Sequence, residues 1–98
     1  MKVHSPGTLL GPFEIVSYPV FGDVTIDYTC LDHERLCPAL LKTLRPELLS
    51  SQTAHACFAQ SGAAWVDLGT HPHIVRCHAV FKPENSDEAY LVLQAVVP

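Results

Sequence analysis

One stretch of this chain, residues 52 to 68, reads as a long helix, and everything around it reads as short β runs punctuated by glycine and proline. Ser50 or Ser51 can cap the helix at its start, Gly69 sits where a C-terminal cap belongs, and Pro72 forbids continuation. Ala54, Cys57, Phe58, Ser61, Trp65 and Leu68 recur mostly at spacings of three and four, which predicts one buried stripe. Gly62 weakens the middle of the helix by about 1 kcal/mol relative to alanine. Just upstream, Arg45-Pro46-Glu47 followed by Leu48-Leu49 predicts a single helical turn.

The β runs fall on both sides of that helix. Residues 13 to 18 alternate well enough for a strand, Phe21-Gly22-Asp23 supplies a turn, and Val24 to Cys30 gives the return strand of a hairpin. A polar break at Asp32 to Arg35 leads into a third strand, Leu36 to Thr43, where Pro38 suits only an edge or the first residues. Ile74 to Phe81 and Ala89 to Leu93 are the fourth and fifth strands, separated by a loop at residues 82 to 87. The order is β-β-β-α-β-β, an α+β chain. Residues 1 to 12, with Pro6, Gly7, Gly11 and Pro12, read as an irregular N-terminal arm before a domain spanning 13 to 98.

Composition narrows the partners. Leu, Ile, Val and Phe supply 29 of 98 residues, enough apolar material for one folded domain, though its core is modest and any spare apolar face seeks a partner. A formal charge of −4 with six Lys plus Arg offers no basic stripe, so nucleic acid and acidic membrane surfaces are excluded as expected partners. The opening residues lack the apolar core of a secretory signal, and no run approaches the ~18 apolar residues of a membrane span, so the expected compartment is the cytoplasm. Cys30, Cys37, Cys57 and Cys77 are too few and too scattered for a disulfide framework and are expected as reduced, mostly buried thiols, with Cys30 and Cys37 able to approach across the second and third strands.

The element order, together with Ala39-Leu-Leu-Lys-Thr43, Leu68-Gly-Thr-His-Pro-His-Ile-Val-Arg76 and Tyr90-Leu-Val-Leu-Gln94, resembles the N-terminal lobe of protein kinases, in particular bacterial Ser/Thr kinases of the eukaryotic type. The resemblance runs from about residue 9 to the last residue. It implies a five-stranded antiparallel sheet with one long helix packed on it, ending at the linker between the two kinase lobes, with Val96, Val97 and Pro98 in that linker. It also implies that the catalytic loop and the metal-binding aspartate lie beyond these 98 residues, so no catalytic residue is expected here.

Within the same resemblance, the nucleotide site is degenerate. The three glycines of the phosphate-covering loop fall at Val20, Gly22 and Thr25, so only Gly22 remains, and the bland reading of Phe21-Gly22-Asp23 is an ordinary hairpin turn. The valine over the adenine becomes Asp27, the small alanine of the third strand becomes Leu40, and the helix glutamate that orients the strand lysine becomes Ser61, with Asp67 nearly two turns further on. Lys42 aligns with that lysine, although a strand lysine also serves simply by reaching solvent. Gly22, Leu40, Lys42, Leu93 and Val96 are what remains of a nucleotide site, and no ATP or Mg²⁺ is expected unless a catalytic lobe sits on another chain. The expected role is a pseudokinase-like binding module. Its interface, Phe58, Trp65, Leu93, Val96 and Val97, lies on the face that the missing lobe would cover, and its partner is another protein or a second copy.

His71, His73, Cys77 and His78 are the one group with metal-ligand residue types. Neighbouring strand residues point to opposite faces, so Cys77 and His78 reach one ion only across a bulge, and no metal is expected. Trp65 and Phe58 are also ordinary core residues by type.

Overall fold

In the computed structural model, which describes residues 3–48, 51–70, 75–83 and 88–95, a single helix leans on a curled antiparallel sheet. The strands are β1 (Leu9–Leu10), β2 (Phe13–Ile15), β3 (Val20–Phe21), β4 (Thr25–Asp32), β5 (Cys37–Leu44), β6 (Cys77–Phe81) and β7 (Tyr90–Gln94). A 3₁₀ turn at Pro46–Leu48 follows β5, and helix α1 spans Gln52–Leu68. The sheet order is β1-β2-β4-β5-β7-β6, with β3 paired separately to β4.

Among the described residues seven strands replace the expected five, for two local reasons. The first strand, expected over residues 13 to 18, ends at Ile15 as β2, which pairs with the end of β4 (Phe13↔Asp32, Ile15↔Cys30), and a separate strand β3, beyond it and reaching into the expected turn, pairs with the start of β4 (Val20↔Asp27, Phe21↔Ile26). Val16 still donates to the Thr29 carbonyl at 3.0 Å, but Pro19 has no N–H to continue the ladder. The arm, expected to be irregular, contributes β1, joined to β2 by a turn at Gly11 with φ 57°. A Cβ there would stand 2.7 Å from Cζ of Phe81, so the turn needs glycine for both its backbone and the ring beside it.

Two clusters of buried side chains lie on opposite faces of the sheet, as alternation along the strands requires. Phe13, Ile15, Ile26, Tyr28, Cys30, Ala39, Leu41, Tyr90 and Val92 fill one, flanked by Leu10 and Phe81. Cys77, Leu91 and Leu93 form the other, packed with Leu40, Val75 and the helix residues Phe58, Trp65 and Val66. The arm closes over the first cluster. His4 donates its backbone N–H to the Tyr28 hydroxyl at 3.2 Å, and its Nε2 lies 2.8 Å from the Tyr90 hydroxyl, which itself donates to Glu88.

Helix α1 begins and ends where its capping residues predict. Ser51 accepts from the Ala54 N–H at 3.2 Å, and Gly69, at φ 62°, returns its N–H to the Val66 carbonyl. Its buried face differs from the expected stripe. Cys57, Ser61 and Leu68 are exposed, and the one buried residue of the helix is Gly62. A Cβ at Gly62 would lie 2.3 Å from Cδ2 of Leu91 and 3.0 Å from Cγ2 of Val80. The glycine that costs helix propensity therefore sets how closely helix and sheet approach. Trp65 anchors the far end of the contact by donating from Nε1 to the Val75 carbonyl at 2.7 Å.

Candidate functional site

Of the residues singled out for nucleotide, Leu40, Lys42 and Leu93 lie on the helix-facing side of the sheet, Gly22 lies in the hairpin turn, and Val96 is outside the described residues. Leu40 and Leu93 are cross-strand partners, as are Asp27 and Lys42. Lys42 lies two residues from Leu40 and so shares its face. The Lys42 ammonium stands 3.0 Å from Oδ1 of Asp27 and donates to Oδ2 at 3.3 Å. The short approach to Oδ1 lies off any hydrogen-bond direction, which leaves that oxygen buried with electrostatic compensation alone. Both side chains are largely covered, at 27% and 29% exposure.

Helix α1 supplies no carboxylate to this lysine. Ser61 and Asp67 are both exposed. Among the described residues Asp27, from the neighbouring strand, is the one ion-pair partner of Lys42.

The hairpin above the pair is fastened by Arg45. Its backbone N–H donates to the Val24 carbonyl, its Nη1 donates to the Gly22 carbonyl at 3.1 Å, and its guanidinium lies 5.6 Å from the centre of the Phe21 ring. Glu47 sits against its Nε at 2.6 Å. Gly22 is exposed, and its N–H closes the turn onto the Thr25 carbonyl at 2.8 Å, the geometry of an ordinary hairpin. Arg45 carries no signal in spacing or periodicity; only the closure of the turn onto the end of β5 reveals it.

The expected interface is partly overturned. Leu93 is 3% exposed and belongs to the core, because β7 is an inner strand with the helix across one face. Phe58 and Trp65 are half-buried in the same cluster, and Val96 and Val97 lie outside the described residues. Exposed apolar surface gathers instead on the first hairpin, where Tyr18 and Val20 are 78% and 67% exposed beside Val16, Phe21 and Val24.

The cysteines are free, two of them buried. Burial, reinforced by the Asp32 carboxylate, pushes the Cys30 thiol up to about 12, and burial also raises Cys77. Cys30 faces Ala39 and Cys37 faces Asp32, so the two thiols are not cross-strand partners. Cys77 is buried while the register slips between it and Ala79, leaving His78 on a bulge; burial and the nearby Arg35 and Arg76 lower the pKa of its imidazole. His71 and His73 lie outside the described residues, and among the described residues no three metal-ligating side chains converge. A cavity of about 260 Å³ lined by Phe13, Asp32, Arg35, Ala79, Phe81 and Val92 adjoins the arm-side core, away from Lys42.

Comparison with solved structures shows what this architecture is: the fold of the N-terminal lobe of a protein kinase. The Mycobacterium tuberculosis PknI kinase domain superposes with a TM-score of 0.75 at 16% identity over 97% of this chain and 38% of its own. PpkA in its apo form gives 0.77 at 17% identity over 95% of this chain and 38% of its own. The chain thus spans less than two fifths of the kinases it matches. No protein-family model and no curated protein matches it in sequence. Among the described residues no helix is long and apolar enough to cross a membrane.

Proposed function

We propose that the chain is a pseudokinase-like lobe, a cytoplasmic binding module that acts by contact with another protein or with a second copy of itself and carries no phosphoryl-transfer chemistry of its own. The observation that supports this reading is the Asp27–Lys42 pair. A kinase lysine is useful because its ammonium is held free for phosphate by a carboxylate on the helix. Here the strand itself consumes that ammonium, and the carboxylate adds negative charge where a triphosphate would lie. Leu40, larger than the alanine the resemblance implies there, packs on the same face, and Arg45 holds the hairpin in its own closed hydrogen bonds. The apolar hairpin residues Tyr18, Val20 and Val24 supply the surface for protein contact.

Thermal unfolding with millimolar Mg-ATP tests the reading. Binding at a hundredfold excess over Kd would add about 2.7 kcal/mol, so a silent site leaves the midpoint unmoved. A second reading, an ATP-binding lobe completed by a catalytic lobe elsewhere, draws on the retention of Lys42 on the helix-facing side of the sheet. A clear shift with Mg-ATP that disappears in Lys42→Ala would establish that reading in place of the first.

A further inference from the structure

We propose that Asp27 is an internal plug: its carboxylate holds the place at the Lys42 ammonium that a polyphosphate anion would take, and neutralising that one side chain opens the site to inorganic triphosphate and to nucleoside triphosphates. The inference rests on the reading of the wild-type site as silent and names the residue that silences it.

Three observations carry it. Asp27 and Lys42 are directly opposed in the β4–β5 ladder, so the backbone register presents the carboxylate to the ammonium without help from the helix. Register of this kind is rigid, and it keeps the plug in place whatever α1 does. The carboxylate is also close through both oxygens, Oδ1 at 3.0 Å and Oδ2 at 3.3 Å from the ammonium, so it fills the place an anion from solution would take. Finally, the other cation nearby is already committed, with Arg45 held by Glu47 and the Gly22 carbonyl. With Asp23 in the turn as a further carboxylate, the hairpin end has no cation to spare as it stands. Removing the Asp27 charge leaves a largely covered ammonium with no counter-ion among the described residues, and an anion from solution then relieves it.

Asp27→Asn keeps the shape and removes the charge; Asp27→Thr, a good strand former, serves as a second variant should asparagine disturb β4. Nuclear magnetic resonance titration with inorganic triphosphate, and separately with ATP, reads both the fold and the site on ¹⁵N-labelled protein. The expected result is at least a tenfold gain in affinity for triphosphate in either variant, with shifts centred on residues 25–28 and 40–43, and loss of that gain in Asp27→Asn/Lys42→Ala. A response to ATP alone would overturn the polyphosphate assignment. Folded variants as inert as wild type would refute the plug while leaving the silent-site reading intact. Wild-type binding as tight as that of the variants, and dependent on Lys42, would refute both.

Discussion

Replacing Gly62 with alanine sets helix propensity directly against packing. Alanine favours the helix by about 1 kcal/mol. The new methyl, however, lies 2.3 Å from Cδ2 of Leu91 and 3.0 Å from Cγ2 of Val80. Leu91 is 3% exposed and cannot swing into solvent, so its rotamer or the helix itself must move, an overpacking that costs about 1–3 kcal/mol. Strain wins, and the expected net is a loss of about 1 kcal/mol, or a melting midpoint lower by about 4–8 °C for a domain of this size. Urea unfolding followed by circular dichroism measures it. Leu91→Ala alone should cost about 2–5 kcal/mol through the cavity it leaves. In the double variant the Gly62→Ala methyl enters that cavity, so the two losses should fall short of additivity by about 1 kcal/mol or more. A Gly62→Ala protein more stable than wild type, or strictly additive losses, would show that the helix is not held off the sheet by this contact.

Two further outcomes follow from buried groups. At mildly alkaline pH a thiol reagent should modify exposed Cys57 first and reach Cys30 and Cys77 only on unfolding; Cys30 has its folded value raised to about 12, so its contribution to stability is intact below the ordinary thiol value of 9.0 and declines as pH rises from there, a decline that Cys30→Val should reduce, whereas equal labelling rates for Cys30 and Cys57 would contradict its placement. Tyr90→Phe deletes the hydroxyl that links His4 to Glu88 and should cost about 1–2 kcal/mol while speeding hydrogen exchange at the amides of Gly7 and Ile15, which pair the arm to β2; unchanged exchange there would mean that the arm is held by its strand alone.

Much of this fold is legible in residue order because its signals are local. Ser51, Gly69, the 3₁₀ turn and the two long hairpin strands each depend on neighbours within a few positions. The features that escaped depend on distant partners. Gly62 reads as a weak point along the helix and becomes a close-packing residue only once Leu91 stands opposite it. Leu10 gains a strand partner only through Phe13 across the Gly11 turn. At the candidate site, Asp27 and Ser61 are reached by counting within the resemblance, but the capture of Lys42 by Asp27 is a matter of strand register, and Arg45 enters only through the closed hairpin. Leu93, expected on the face that a missing lobe would cover, is core instead, because β7 lies between β5 and β6 with the helix across one face.

Strand β7 has a mechanical consequence of its own. Tyr90 and Val92 wedge into the arm-side cluster while Leu91 and Leu93 press against the helix side, so one short segment is the common wall of both halves of the interior. The arm side bears on Tyr90 and Val92 and the helix side on Leu91 and Leu93, so both halves of the interior meet on alternate residues of one strand.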